Sequence, residues 1–110
     1  MAKNDMFVII YQVLKYMYDC LKAGEKVEAV RLTADAYMIP ENYWGYILIT
    51  MIDQGFISGI EYTPTKDGIL FSNLENALIT FNGVEYLFDN SLMQKLKRTL
   101  KDVKDILPGI

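Results

Sequence analysis

Residues 37–62 read YMIPENYWGYILITMIDQGFISGIEY, and this stretch decides the fold. Pro40 suits the first position of a helix, where its missing N–H would have no intrahelical partner in any case. From there Trp44, Ile47, Leu48, Met51 and Ile52 recur at spacings that place them on one face of a helix running to about Gln54. Gly55 supplies the left-handed residue that ends such a helix. Phe56 to Tyr62 then reads as a strand, rich in aromatic and β-branched residues. On the amino-terminal side a shorter helix is expected over residues 27–37, with Val27, Val30, Ala34 and Tyr37 facing inward. Met38, Ile39 and Pro40 form the turn, so residues 37–43 span a helix-turn-helix.

Upstream, a helix opens at Asn4 or Asp5, both good caps, and closes at Gly24. One stripe is Phe7, Ile10, Tyr11, Leu14, Met17, Tyr18 and Leu21; a second is Ile9, Val13, Tyr16 and Cys20. Gln12, Lys15, Asp19 and Lys22 are left as a polar edge. A helix apolar on two faces is normally buried on two faces, which requires a cover from this chain or from a second copy.

Downstream, residues 77–81 are strand-like and Thr63–Gly68 is rich in turn residues. Ile69 to Phe71 can add a short strand, closed by a turn at Ser72–Asn73, and the segment from Pro64 to Leu74 is the least determined part of the chain. Thr80 can cap an incoming helix in which Gly83 permits close packing and Tyr86 and Leu87 point to the core. Ser91 with Gln94 reads as a capping box. It opens a last helix in which Met93, Leu96, Leu100, Val103 and Leu107 make a seam suited to the second face of the first helix.

These elements predict one α+β domain over residues 1–110, a winged helix (helix-turn-helix plus β-hairpin wing) with an extra C-terminal helix packed on helix one. Thr80-x-x-Gly83-x-x-Tyr86-Leu87, Asn90-Ser91 and the closing Ile106-Leu107-Pro108-Gly109-Ile110, together with the preceding order of elements, resemble the YjcQ-like family. These are small phage- and prophage-borne proteins of Gram-positive bacteria. The resemblance spans nearly the whole chain, implies a winged-helix variant of phage origin, and carries over no catalytic or binding residue.

Charge argues against the usual work of that fold. No Lys or Arg lies between Arg31 and Lys66, whereas Asp35, Glu41, Asp53 and Glu61 fall within that gap. Residues 1–94 carry six bases against twelve acids, while Lys95, Lys97, Arg98, Lys101 and Lys104 crowd the last sixteen positions. Phosphate contacts from Lys and Arg supply most non-specific DNA affinity, and an acidic body repels nucleic acid at long range. The chain has no histidine, which removes the commonest general base and metal ligand. Its lone Cys20 sits on an apolar stripe and is expected to be buried and unreactive. The carboxylates are scattered, so catalysis, a metal site and a cofactor are not expected. Apolar runs fall short of the roughly 20 residues a membrane span needs. With no signal-like start, the expected location is cytoplasmic.

Binding is then the expected mode of action, with a protein partner or a second copy of the chain (a homodimer) preferred. A sequence-specific DNA-binding regulator is the alternative. The candidate face is the outward side of the third helix with the wing: Asn42, Tyr43, Tyr46, Thr50 and Lys66, with Ile49 and Asp53 alongside. The only positive patch is the basic edge of the last helix, Lys97, Arg98 and Lys101.

Overall fold

Thr33 breaks the second expected helix in two. Its hydroxyl donates to the Val30 carbonyl (2.8 Å) and accepts from the Ala36 amide (3.3 Å), while its backbone is extended. A side chain that bonds neighbouring backbone in this way competes with the helical ladder. In this computed structural model, which describes residues 2–100, the segment is therefore a 3-10 turn at Ala29–Leu32 followed by a single turn, α2 (Ala34–Tyr37). Leu32 becomes the buried residue, and Val30, expected inward, is 65% exposed.

Helix α1 (Met6–Ala23) ends as its sequence dictates, with Gly24 at φ 71° donating to the Cys20 and Leu21 carbonyls. Val8, Ile9, Ile10, Val13, Leu14 and Met17 are all buried, so the middle of both apolar stripes is covered within the single chain, whereas Phe7 and Leu21, expected on the first stripe, are exposed. Neither Ile9 nor Val13 needs a second copy to hide it. Gln12, expected on the polar edge, is 3% exposed, and no buried side-chain N or O among the described residues lacks a hydrogen-bond partner. Tyr16 is half-buried. Its hydroxyl accepts from the Glu28 amide (2.9 Å) and Arg31 lies over its ring at 4.3 Å.

Helix α3 (Glu41–Asp53) follows a left-handed Met38 and buries Trp44, Ile47, Leu48 and Met51. Trp44 is 3% exposed and stacks on Tyr37 at 5.3 Å, which locks α2 to α3. Burial pushes the Tyr37 phenol up to about 12. Gly55 (φ 79°) turns the chain out of α3.

The expected strand from Phe56 to Tyr62 divides at Gly59–Ile60. β1 (Ile57–Ser58) pairs antiparallel with β4 (Leu78–Ile79), and β2 (Glu61–Thr65) pairs antiparallel with β3 (Gly68–Ser72). The two ladders form one interrupted hairpin. Thr63, Pro64 and Thr65, expected in a turn, are strand, and the turn shrinks to Lys66–Asp67. Pro64 is tolerated because it sits opposite Ile69 in a pair that asks no N–H of it.

Thr80 caps α4 (Phe81–Asp89) by accepting from the Gly83 amide at 3.0 Å. Gly83 abuts the Phe56 carbonyl, which leaves no room for a β-carbon. Leu87 is buried and Tyr86 stacks on Phe56 at 4.5 Å. The cap of α5 (Ser91–Leu100) is Asn90 rather than Ser91. Its Oδ1 accepts from the Leu92 (3.0 Å) and Met93 (3.2 Å) amides. Gln94 Nε2 reaches back to the Leu87 (3.2 Å) and Phe88 (2.6 Å) carbonyls, so it ties two helices together instead of closing a box. Helix α5 packs on α1 and α4, burying Met93 and Leu96; Val103 and Leu107 lie outside the described residues.

The result is a mixed α+β architecture, with α1 central to α3, β4, α4 and α5.

Candidate interaction face of helix α3 and the hairpin

The hairpin has two faces, because alternate residues of a strand point to opposite sides. Tyr62, Pro64, Ile69 and Phe71 share one of them through the pairs Tyr62–Phe71 and Pro64–Ile69. That face lies over α3. The Tyr62 hydroxyl donates to Asp53 Oδ1 (3.0 Å), which raises the phenol above its usual value chiefly through that bond. Ile69 and Phe71 meet the first turns of α3 across a groove of about 290 Å³, lined also by Glu41, Asn42, Gly45, Tyr46, Asp67 and Gly68.

Helical geometry decides which side chains reach this groove. Asn42 and Tyr46 stand one turn apart on the outward side of α3, and Tyr46 is 63% exposed. Gly45, between them, gives the groove its floor, with open space above its α-carbon. Thr50 is half-buried, its hydroxyl donating to the Tyr46 carbonyl (2.7 Å). Ile49 is half-buried and Asp53 is the acceptor for Tyr62.

Tyr43 does not belong to this face. Its hydroxyl donates to the Asn4 carbonyl (2.7 Å), fastening α3 to the start of α1; partial burial, then the nearby Asp5 carboxylate, raise its phenol. Lys66 stands exposed at the hairpin tip, next to the groove but not in its lining. Among the described residues the lining thus carries two carboxylates, Glu41 and Asp67, and no base.

Glu41 and Asp67 are groove residues that the sequence reading did not place at the candidate face. Asp67-Gly68 is a strong short-range hairpin signal, and Ile69 and Phe71 alternate as a half-buried strand should. Together those two features would have aimed this edge at α3.

The basic edge gains company it did not have in the sequence. Lys97 lies over the Phe88 ring (5.7 Å), Lys22 over Tyr18 (4.8 Å), and Tyr18 meets Phe88 edge-on at 5.1 Å. Lys15, Tyr11 and Leu87 complete a small cleft of about 170 Å³ between α1 and the α4–α5 corner. Asp19 neutralises part of it through Lys15 (2.8 Å) and Lys22 (3.8 Å). Arg98 is exposed on α5 outside this cleft, and Lys101 lies outside the described residues.

Cys20, expected to be buried, is half-buried. Among the described residues no group of three or more His, Cys, Asp or Glu is placed to hold a metal ion. No helix among them is long and apolar enough to cross a membrane.

No curated protein and no solved structure matches the chain. A family model described as YjcQ protein matches residues 11–106. With nearly its whole length covered by that model, the chain belongs to the YjcQ protein family.

Proposed function

We propose that this chain is a phage- or prophage-derived accessory protein that acts by protein–protein contact, without catalysis. It does so through the face formed by α3 and the β2–β3 hairpin of a winged-helix scaffold. In that scaffold α2 and α3 are the helix-turn-helix, the hairpin is the wing, and α5 is the added helix on α1. The observation that carries the reading is the groove where a nucleic-acid reader of this type would need bases: it holds Glu41 and Asp67 and exposes Tyr46 and Ile69. Aromatic and aliphatic surface with few cations suits a protein interface, while carboxylates facing phosphates oppose binding. A winged-helix scaffold by itself leaves both uses open; the charge of this face favours the protein partner.

Anisotropy titrations with duplex DNA test the choice. A reader making six to ten phosphate contacts loses roughly 10³–10⁵ in affinity between 50 and 200 mM salt. The expected result here is no measurable binding at physiological salt. At low salt, weak association should disappear when Lys97, Arg98 and Lys101 are changed to Gln. Tight binding at physiological salt that survives those changes and is lost in Tyr46→Ala would establish the DNA-binding regulator instead. A photo-crosslinking residue at position 46, with one at Lys95 as the control, tests the protein reading directly. One discrete protein adduct specific to position 46 in the host cell is expected, and its absence would refute the face.

A further inference from the structure

The hairpin has an open edge whose polarity can be assigned from its register. Strand β2 closes on β3 across Lys66–Asp67 with Thr65 opposite Gly68, and Pro64 opposite Ile69 has no N–H to give. Pairs in an antiparallel ladder alternate between those that exchange both bonds and those that exchange none. Thr65–Gly68 and Thr63–Leu70 are thus the bonded pairs, while Pro64–Ile69 and Tyr62–Phe71 are the unbonded ones. In an unbonded pair the N–H and C=O groups point away from the partner strand. Ile69 and Phe71 therefore direct two donors and two acceptors out of β3, and among the described residues no further strand lies beside it.

The two edges of this hairpin are unequal. The outer edge of β2 is blunted by Pro64, which offers no donor, as protected edges commonly are. The β3 sequence Gly68-Ile-Leu-Phe-Ser72 has neither proline nor charge. The residues that present free backbone groups, Ile69 and Phe71, are the ones whose side chains line the α3 groove, and no β2 residue lines it. A strand added to β3 would run along that groove and send alternate side chains toward Glu41, Asn42 and Tyr46.

We infer that the β3 edge captures an extended segment of a partner protein by strand addition, with a Lys or Arg of that segment meeting Glu41 and Asp67. This rests on the protein-partner reading and specifies how that partner is held. Main-chain bonds give such complexes their affinity and pockets for alternate side chains give them specificity. The same edge of a second copy fits poorly, because β3 carries no base to meet Glu41 and Asp67.

Amide hydrogen exchange on the labelled full chain tests the inference. The probe is a short blocked peptide alternating arginine and valine, compared with a glutamate–valine counterpart and with a version N-methylated at every second residue. Exchange at Ile69 and Phe71 should slow by about tenfold or more at saturation, while that at Leu70, already bonded to β2, changes little. The glutamate peptide and the version methylated along its β3-facing edge should not bind.

Ile69→Pro removes an outward N–H without taking a bond from the ladder, as Pro64 does across from it, and Ile69→Ala retains that N–H. The proline variant should weaken the peptide about tenfold beyond the alanine variant. If it proves unfolded, the methylated peptide makes the same distinction on the wild type. Equal binding of the methylated peptide, or unchanged exchange at Ile69 and Phe71, overturns strand addition while leaving the side-chain groove as a protein site. Failure of the arginine–valine peptide to bind at millimolar concentration also overturns it, and the crosslink from position 46 then judges the face separately. Self-association abolished by Ile69→Pro overturns the choice of a foreign partner.

Discussion

Gly83→Ala and Gly45→Ala are the same chemical change on two helices and should move stability in opposite directions. In an unobstructed helix, replacing Gly by Ala gains about 1 kcal/mol, because the unfolded chain loses freedom and the helix loses none. At Gly45 a new β-carbon meets nothing within 4 Å, so that gain should appear nearly intact. At Gly83 the β-carbon would press into the Phe56 carbonyl and come within 2.7 Å of Ile79 Cγ1. The obstacle is largely backbone, fixed by Thr80 N–H donating to the same carbonyl at 2.9 Å, and cannot swing aside. Overpacking of this kind costs about 1–3 kcal/mol, and an immovable backbone obstacle belongs at the upper end. Offset by the helix gain, Gly83→Ala should lose about 2 kcal/mol. At this chain length that lowers Tm by roughly 8–16 °C, against a rise of a few degrees for Gly45→Ala. Thermal and urea unfolding followed by circular dichroism would measure both. A Gly83→Ala protein as stable as wild type, or a Gly45→Ala protein as damaged as Gly83→Ala, would refute the close approach of α4 to the Phe56 turn.

Three further outcomes are expected. Tyr37 has a folded pKa raised to about 12 from 10.0 by burial, so its contribution is complete below pH 10 and lost as pH climbs through 12. Tyr37→Phe, which keeps the ring on Trp44, should flatten the alkaline fall of Tm across that window, and an unchanged profile would disprove the assignment. Asn90→Ala should cost about 1 kcal/mol in urea unfolding and Ser91→Ala almost nothing, because Asn90 is the side chain that accepts the first amides of α5; the reverse order would restore the capping box. Removing residues 91–110 strips Met93 and Leu96 from the core and should give an aggregating or unfolded product on gel filtration, whereas a soluble, cooperatively melting fragment would show α5 to be dispensable.

Local rules account for much of what the sequence determined alone. The α1 and α3 stripes, Gly24 and Gly55 as helix ends, Thr80 as a cap and Gly83 as a close-packing point all follow from periodicity and backbone chemistry within a few residues. Each is found in the structure, except that the ends of the first α1 stripe, Phe7 and Leu21, are exposed. The family was legible as well, and a family model matches residues 11–106. The absence of bases from residue 32 to residue 65 was equally legible, and it made DNA the less expected partner of this face.

Tertiary structure decided the rest, wherever a residue's role depends on a neighbour far along the chain. Gln12 looked like surface because its helix position borders lysines, yet the packing around α1 encloses it. Tyr43 looked like part of the outward face until its hydroxyl found the Asn4 carbonyl, 39 positions away. Pro64 argued for a turn by propensity, but a strand accepts proline where the facing residue asks for no N–H, and only the register with Ile69 supplies that condition. The groove itself arises in the same way. Glu41 and Asp67 are 26 positions apart and unremarkable one by one; folding the hairpin over α3 places both on the lining with Tyr46 and Ile69, and that juxtaposition follows from long-range packing rather than from any local pattern.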